Sequence, residues 1–171
     1  MENAKYEFVP GDEITIAPGR TVKRIRALVA ISYFASAGSL GGYIESEKSL
    51  EVSGNAWVSG DAWVSGDAQV SGDAQVSGNA QVSGDAWVSG DAWVSGDGLI
   101  VWFSHVGSEN GTLTVYNTKD NSLEVTRCCF RGTVDDFLAA SEKKHDDQTH
   151  LEYRLLIEVA HSRITRSRGA V

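Results

Sequence analysis

The chain has 171 residues, with 15 Lys and Arg against 23 Asp and Glu and a formal net charge of −8. That length allows a sizeable core but not several large domains. The acidic balance disfavours generic binding to nucleic acid or to anionic membranes. No apolar run approaches the roughly 20 residues that span a bilayer, and the opening "MENAKYEF" does not read as a signal peptide.

Residues 1–39 read as an irregular, β-rich cap. Within "EITIAPGRTVKRIRALVAIS", Arg20, Lys23, Arg24 and Arg26 form a local basic stretch, expected as a solvated strand face.

From Val52 to Gly98 one phrase, V-S-G-(D/N)-A-(W/Q), is said eight times, the last copy altered at its end. Six residues with a Gly in every copy do not fit a helix, where each Gly costs roughly 1 kcal/mol. A short strand and a tight turn do fit. In A-W-V-S alternate side chains face opposite ways, so Ala and Val point inward and Trp/Gln and Ser outward. Gly-Asp or Gly-Asn then makes the corner, because these residues tolerate left-handed backbone angles. Three such strands make a triangular coil with parallel pairing to the next. An aliphatic residue followed four positions later by a small one, as at Val52 and Ala56, resembles the hexapeptide pattern of left-handed parallel β-helices. Leu40, Ile44 and Leu50 before the repeat, and Ile100, Ser104 and Val106 after it, extend the frame. The expected organisation is a cap over 1–39, a left-handed β-helix over 40–106 and a C-terminal α+β module over 107–171.

In the third part "GLIVWFSHVG" is apolar on both alternations, which predicts cover on both sides. "GSENG" and "NTKDN" read as turns, "TLTVY" and "LEVTRCCF" as strands. Thr133 with Asp136, and Thr149 with Glu152, read as starts of two helices. Leu151, Leu155 and Val159 read as the apolar stripe of the second, and the tail "HSRITRSRGAV" as frayed. Adjacent Cys128 and Cys129 fit no zinc spacing and read as reduced structural thiols.

"LGGYIESEKSLEVSGNAWVSGDAW", "WFSHVGS", "GTLTVY", "VTRCCFRGTVDDFLAA" and "EYRLLI" together resemble hexapeptide-repeat proteins of bacteriophages and prophages. That family usually shows Gly where this chain has Cys128. The resemblance implies a phage context and the cytoplasm of an infected bacterial host.

The outward variable position stacks every eighteen residues into three columns: Trp57–Gln75–Trp93, Trp63–Gln81–Leu99 and Gln69–Trp87–His105. Trp57, Trp63, Trp87 and Trp93, with Leu99, Val101 and Phe103, are candidate contacts of a homodimer or homotrimer. Packing of each indole on its neighbours, or a ligand-stacking role, are the alternatives. A calcium role for the Asp row is disfavoured, since calcium-binding β-rolls use a nine-residue phrase with clustered ligands. No Thr array suits ice.

The expected function is non-enzymatic binding. A phage counter-defence factor of this kind sequesters a nucleotide immune signal or blocks a host defence protein. Trp102, Ser104, Arg127 and Tyr153 are the candidate ligand-binding residues, offering stacking, hydroxyl and cationic groups. No metal, cofactor, DNA or membrane partner is expected. A hexapeptide-type acyltransferase would need a catalytic His. Only His105, His145, His150 and His161 are present, none in a regular repeat. A structural or scaffold component of the phage is the remaining alternative.

Overall fold

The computed structural model describes residues 4–96 and 98–168. It opens with an antiparallel hairpin, β1 (Tyr6–Ala17) and β2 (Arg20–Ala27). β3 (Leu40–Ile44) pairs antiparallel with β2 on one edge and parallel with the repeat on the other. Seven two-residue strands follow at six-residue intervals: β4 (Trp57–Val58), β5 (Trp63–Val64), β6 (Gln69–Val70), β7 (Gln75–Val76), β8 (Gln81–Val82), β9 (Trp87–Val88) and β10 (Trp93–Val94). They stack in parallel ladders β4–β7–β10, β3–β5–β8 and β6–β9.

The inward set is the expected one. Ala56 to Ala92 and Val58 to Val94, taken every six residues, are each at most 1% exposed. Full burial of a Val stabilises by about 1.5–3 kcal/mol relative to exposure. Ala is small enough to fit opposite it. The repeated Gly is fixed by its backbone. Gly72 has φ +69°, and a Cβ there would lie 2.9 Å from the backbone nitrogen of Gly90, three copies on in the stack.

Before the repeat the frame shifts. Ile44 pairs with Val64 and Leu50 with Val70, offsets of twenty residues, whereas Val58 pairs with Val76 at eighteen. Two extra residues therefore lie between Leu50 and Val58. Ile44 and Leu50 take Val positions and are buried, while Val52 and Leu40, expected inside, are 45% and 53% exposed.

The N-terminal region is a hairpin with register shifts between Phe8 and Glu13 and between Thr15 and Ala17, followed by the 28–39 loop. Of the four residues in its basic stretch the three arginines are ion-paired, and the Lys23 ammonium lies 5.8 Å from the centre of the Phe8 ring. Arg20 lies 2.7 Å from Glu45, Arg24 3.0 Å from Asp12 and Arg26 3.2 Å from Glu7. Tyr6 donates its hydroxyl to the carbonyls of Glu47 and Leu50, tying the hairpin to the first turn of the stack. Lys5 is buried there and donates to the Glu51 carbonyl, and burial lowers its amine to about 8.

After Val94 the parallel stacking stops. β11 (Ile100–Val106), β12 (Gly111–Asn117), β13 (Leu123–Arg127) and β14 (Phe130–Thr133) form an antiparallel meander in that order. The coil therefore does not continue to His105, and Ser104 is exposed. "LEVTRCCF" is not one strand either. Cys128, at φ +53°, and Cys129 turn the chain from β13 into β14. Both thiols are exposed, not core residues.

α1 (Val134–Lys144) is capped by Thr133, whose hydroxyl accepts from the Asp136 amide, as its sequence predicts. α2 (Asp147–Arg168) starts two residues before Thr149, and the Asp146 carboxylate accepts from the Thr149 amide at 2.7 Å. A carboxylate acceptor at that position outcompetes the Thr–Glu pairing. α2 buries Tyr153, Ile157, Ala160 and Ile164. The expected stripe of Leu151, Leu155 and Val159 lies on the opposite, exposed face. The tail is helical rather than frayed to Arg168, whose guanidinium donates to Asn117 and to the Ser122 carbonyl.

Candidate functional site

A stack of strands ends in unpaired backbone groups, which must find partners or water. At the C-terminal end here, the residues that follow the stack supply them. The Trp87 amide donates to the Thr114 hydroxyl at 3.2 Å, and the Thr126 hydroxyl donates to the Trp87 carbonyl at 2.5 Å. Asn117 donates to the Trp93 carbonyl at 3.3 Å, and the Lys119 amide to the Asp91 carbonyl at 3.1 Å. Thr114 and Thr126, opposite one another on β12 and β13, thus stand where the next strand of the β6–β9 ladder would pair. Tyr116, on the same sheet face, is fully buried, and burial pushes its phenol up to about 12.

This docking leaves a concave seam of roughly 440 Å³ beside Trp87. The stack contributes Asp67, Gln69, Asp85 and Trp87. The module contributes His105, the 109–112 turn, Thr114, Thr126, and the edges of Arg127 and Cys128. The Trp87 ring is half-buried and pinned by donation from its indole N–H to Ser71 at 3.2 Å. Glu109 has Lys144 at 3.9 Å, and Asp67 lies near Arg20. Among the described residues Asp85 has no ion pair. The seam thus joins an aromatic surface to carboxylates and hydroxyls.

The four expected ligand residues do not converge. Arg127 on β13 and Tyr153 on α2 are 8% and 1% exposed and meet where the helix packs on the sheet. The Arg127 Nε donates to the Tyr153 hydroxyl at 3.1 Å and its Nη2 to the Val106 carbonyl at 3.2 Å. This guanidinium ties sheet to helix and is not free for a phosphate. Trp102 and Ser104 alternate to the other sheet face. Trp102 lines a second groove with Gln81, Val101, Phe103, Val159 and Arg163. Ser104 meets only Thr112, at 3.5 Å.

The expected interface set also divides. Trp57 and Leu99 are 1% and 6% exposed, so neither serves subunit contact. Trp57 is covered by β3, whose backbone at Gly41, sixteen residues before it, lies against the indole. Gly41 allows the approach, because a Cβ there would sit 2.7 Å from the indole. Trp63, Trp87, Trp93, Val101 and Phe103 are half-buried. Within the repeat, each indole has a Gln as its ladder neighbour: Trp57 and Trp93 flank Gln75, Trp63 meets Gln81, and Trp87 meets Gln69. Large and slender side chains thus alternate along the stacking direction. Leu99 and His105 do not continue the columns as paired strands.

The seam was missed from sequence because Asp67, Asp85 and Trp87 look like every other copy; only their position at the end of the stack distinguishes them. The histidines do not gather either. His145 lies 3.3 Å from Ser108, His150 3.3 Å from Ser141, His105 lines the seam and His161 is exposed. Among the described residues no three His, Cys, Asp or Glu side chains are grouped to hold a metal ion. No helix there is long and apolar enough to cross a membrane.

Short parallel strands stacked over an Ala–Val interior define a β-solenoid repeat. A family model for the YdcK beta solenoid repeat matches residues 74–90 and again 80–96. The two windows are displaced by six residues, one copy of the phrase. No curated protein matches the chain.

Proposed function

We propose that the chain is a non-enzymatic binding protein. The stack is a left-handed parallel β-helix serving as a rigid support, and recognition occurs at the seam beside Trp87. The observation that carries this reading is the seam itself, where one indole meets varied hydrogen-bonding groups. Discrimination needs such variety, because a buried polar group left unpaired costs roughly 1–3 kcal/mol. The regular ladders offer only Trp and Gln.

The charge of the seam selects between the two expected targets. Asp67, Asp85 and Glu109 repel phosphates and attract cations. An indole adds cation–π attraction of about 0.5–2 kcal/mol. A basic segment of a host protein therefore fits better than a nucleotide. In a phage setting, occupying such a segment would block a defence protein sterically.

Co-purification from bacterial cells with the wild-type chain and with Asp85→Lys tests this. Capture of a host protein by the wild type alone supports it. Capture of nothing, or of the same proteins by both chains, sinks it. A nucleotide retained by both chains would move the reading to sequestration.

A further inference from the structure

We propose that the outer face of α2 is a two-fold interface with a second copy of this chain, packed helix against antiparallel helix. This does not rest on the seam. α2 is apolar on two opposite faces. The inner face is filled by Tyr153, Ile157, Ala160 and Ile164. The outer face presents Leu151, Leu155 and Val159 at 42%, 50% and 49% exposure. A helix turns each apolar face toward a packing partner, only the inner one finds its partner within the chain, and contiguous exposed apolar surface marks an interface. The face also continues onto β11. That strand is an edge of its sheet, and its Val101 and Phe103 share a groove of roughly 450 Å³ with Val159.

The spacing and flanking charges select the partner. An isologous contact requires a surface that complements itself. The three aliphatic residues are four apart and centred on Leu155. Antiparallel packing about Leu155 therefore places Leu155 on its own copy and Leu151 against the partner's Val159. Arg154 and Glu158 lie on one flank of this stripe, a helical turn apart. The two-fold brings each Arg154 near the partner's Glu158 and each Glu158 near the partner's Arg154. Within one chain, neither has an ion-pair partner among the described residues. A partner of uniform charge would satisfy one of these two residues and repel the other; a second copy satisfies both.

Sedimentation velocity on the full chain, from low to high micromolar concentration, reads the assembly. We expect a reversible dimer. Leu155→Asp should weaken it by at least about tenfold while leaving the circular dichroism spectrum unchanged, since Leu155 supports no internal packing. Arg154→Glu should weaken it, and adding Glu158→Arg should restore it. In a Cys128→Ser, Cys129→Ser background, Leu155→Cys should form an intermolecular disulfide faster than Glu142→Cys, which lies exposed on α1. A chain that stays monomeric overturns the proposal. So does a dimer indifferent to Leu155→Asp, whose Leu155→Cys form crosslinks no faster than the control.

Discussion

The stack and the four-stranded sheet solve the same problem with opposite kinds of information. In the stack one Ala–Val pair recurs at every step, and each strand is two residues long. Its backbone groups pair with identical groups one turn away. In the sheet no row repeats. Leu113 faces Arg127, Val115 faces Val125 and Asn117 faces Leu123, with helices on that side and the end of the stack on the other. A periodic region needs only one good local solution, and it stops only where something aperiodic terminates it. Here Thr114, Thr126 and Asn117 replace the missing strand. The seam lies at this change from repeated to unique chemistry.

The comparison breaks most directly at a repeated corner. Gly72→Val places a β-branched residue at φ +69° with its Cβ against the backbone of Gly90, three copies on. Left-handed backbone alone costs about 1–2 kcal/mol, and the contact adds to that. We expect a loss of roughly 2 kcal/mol or more in urea unfolding, and reduced soluble yield. A Gly72→Val chain as stable as wild type would show that the corners are not fixed by sterics.

A smaller effect sharpens the other half. Arg127→Ala removes the donor to Val106 and the partner of the Tyr153 hydroxyl. Leaving such groups unpaired costs about 1–3 kcal/mol. The variant should melt earlier, with partner capture reduced only through that instability. Unchanged stability with abolished capture would return Arg127 to the ligand-binding role that its residue type first implied.

What the sequence made legible follows the same division. The inward Ala and Val were readable because a six-residue period leaves one assignment of faces. The two-residue insertion before Val58 was not, because Leu50 and Val52 are equally apolar and only pairing distinguishes them. Trp57 reads as an exposed contact because its cover comes from β3 at Gly41, sixteen positions away and outside the repeat. α2 misled for another reason. Leu151, Leu155 and Val159 are the more hydrophobic stripe, yet Tyr153, Ile157, Ala160 and Ile164 face the sheet. Periodicity identifies faces and cannot rank two of them. The seam needed both halves in place, since its lining runs from Asp67 to Cys128.

The smallest expected effect is a gain, and it tests how far the module departs from an unstrained backbone. Cys128 turns β13 into β14 at φ +53°, a backbone angle that favours Gly. A side chain at that angle costs about 1–2 kcal/mol. Glycine removes the strain but loses about 0.5–1 kcal/mol through its greater freedom when unfolded. Cys128→Gly should therefore stabilise the chain by about 0.5–1 kcal/mol. The thiol is exposed and free, so no packing is lost. The midpoint of urea unfolding should rise with no change in slope. Cys129→Gly, one residue on and without a positive φ, is the control and should be neutral or destabilising. If both glycines stabilise equally, the gain comes from removing reactive thiols and not from the turn. If Cys128→Gly destabilises, the Cys128 side chain contributes to the seam or to the turn more than its exposure indicates.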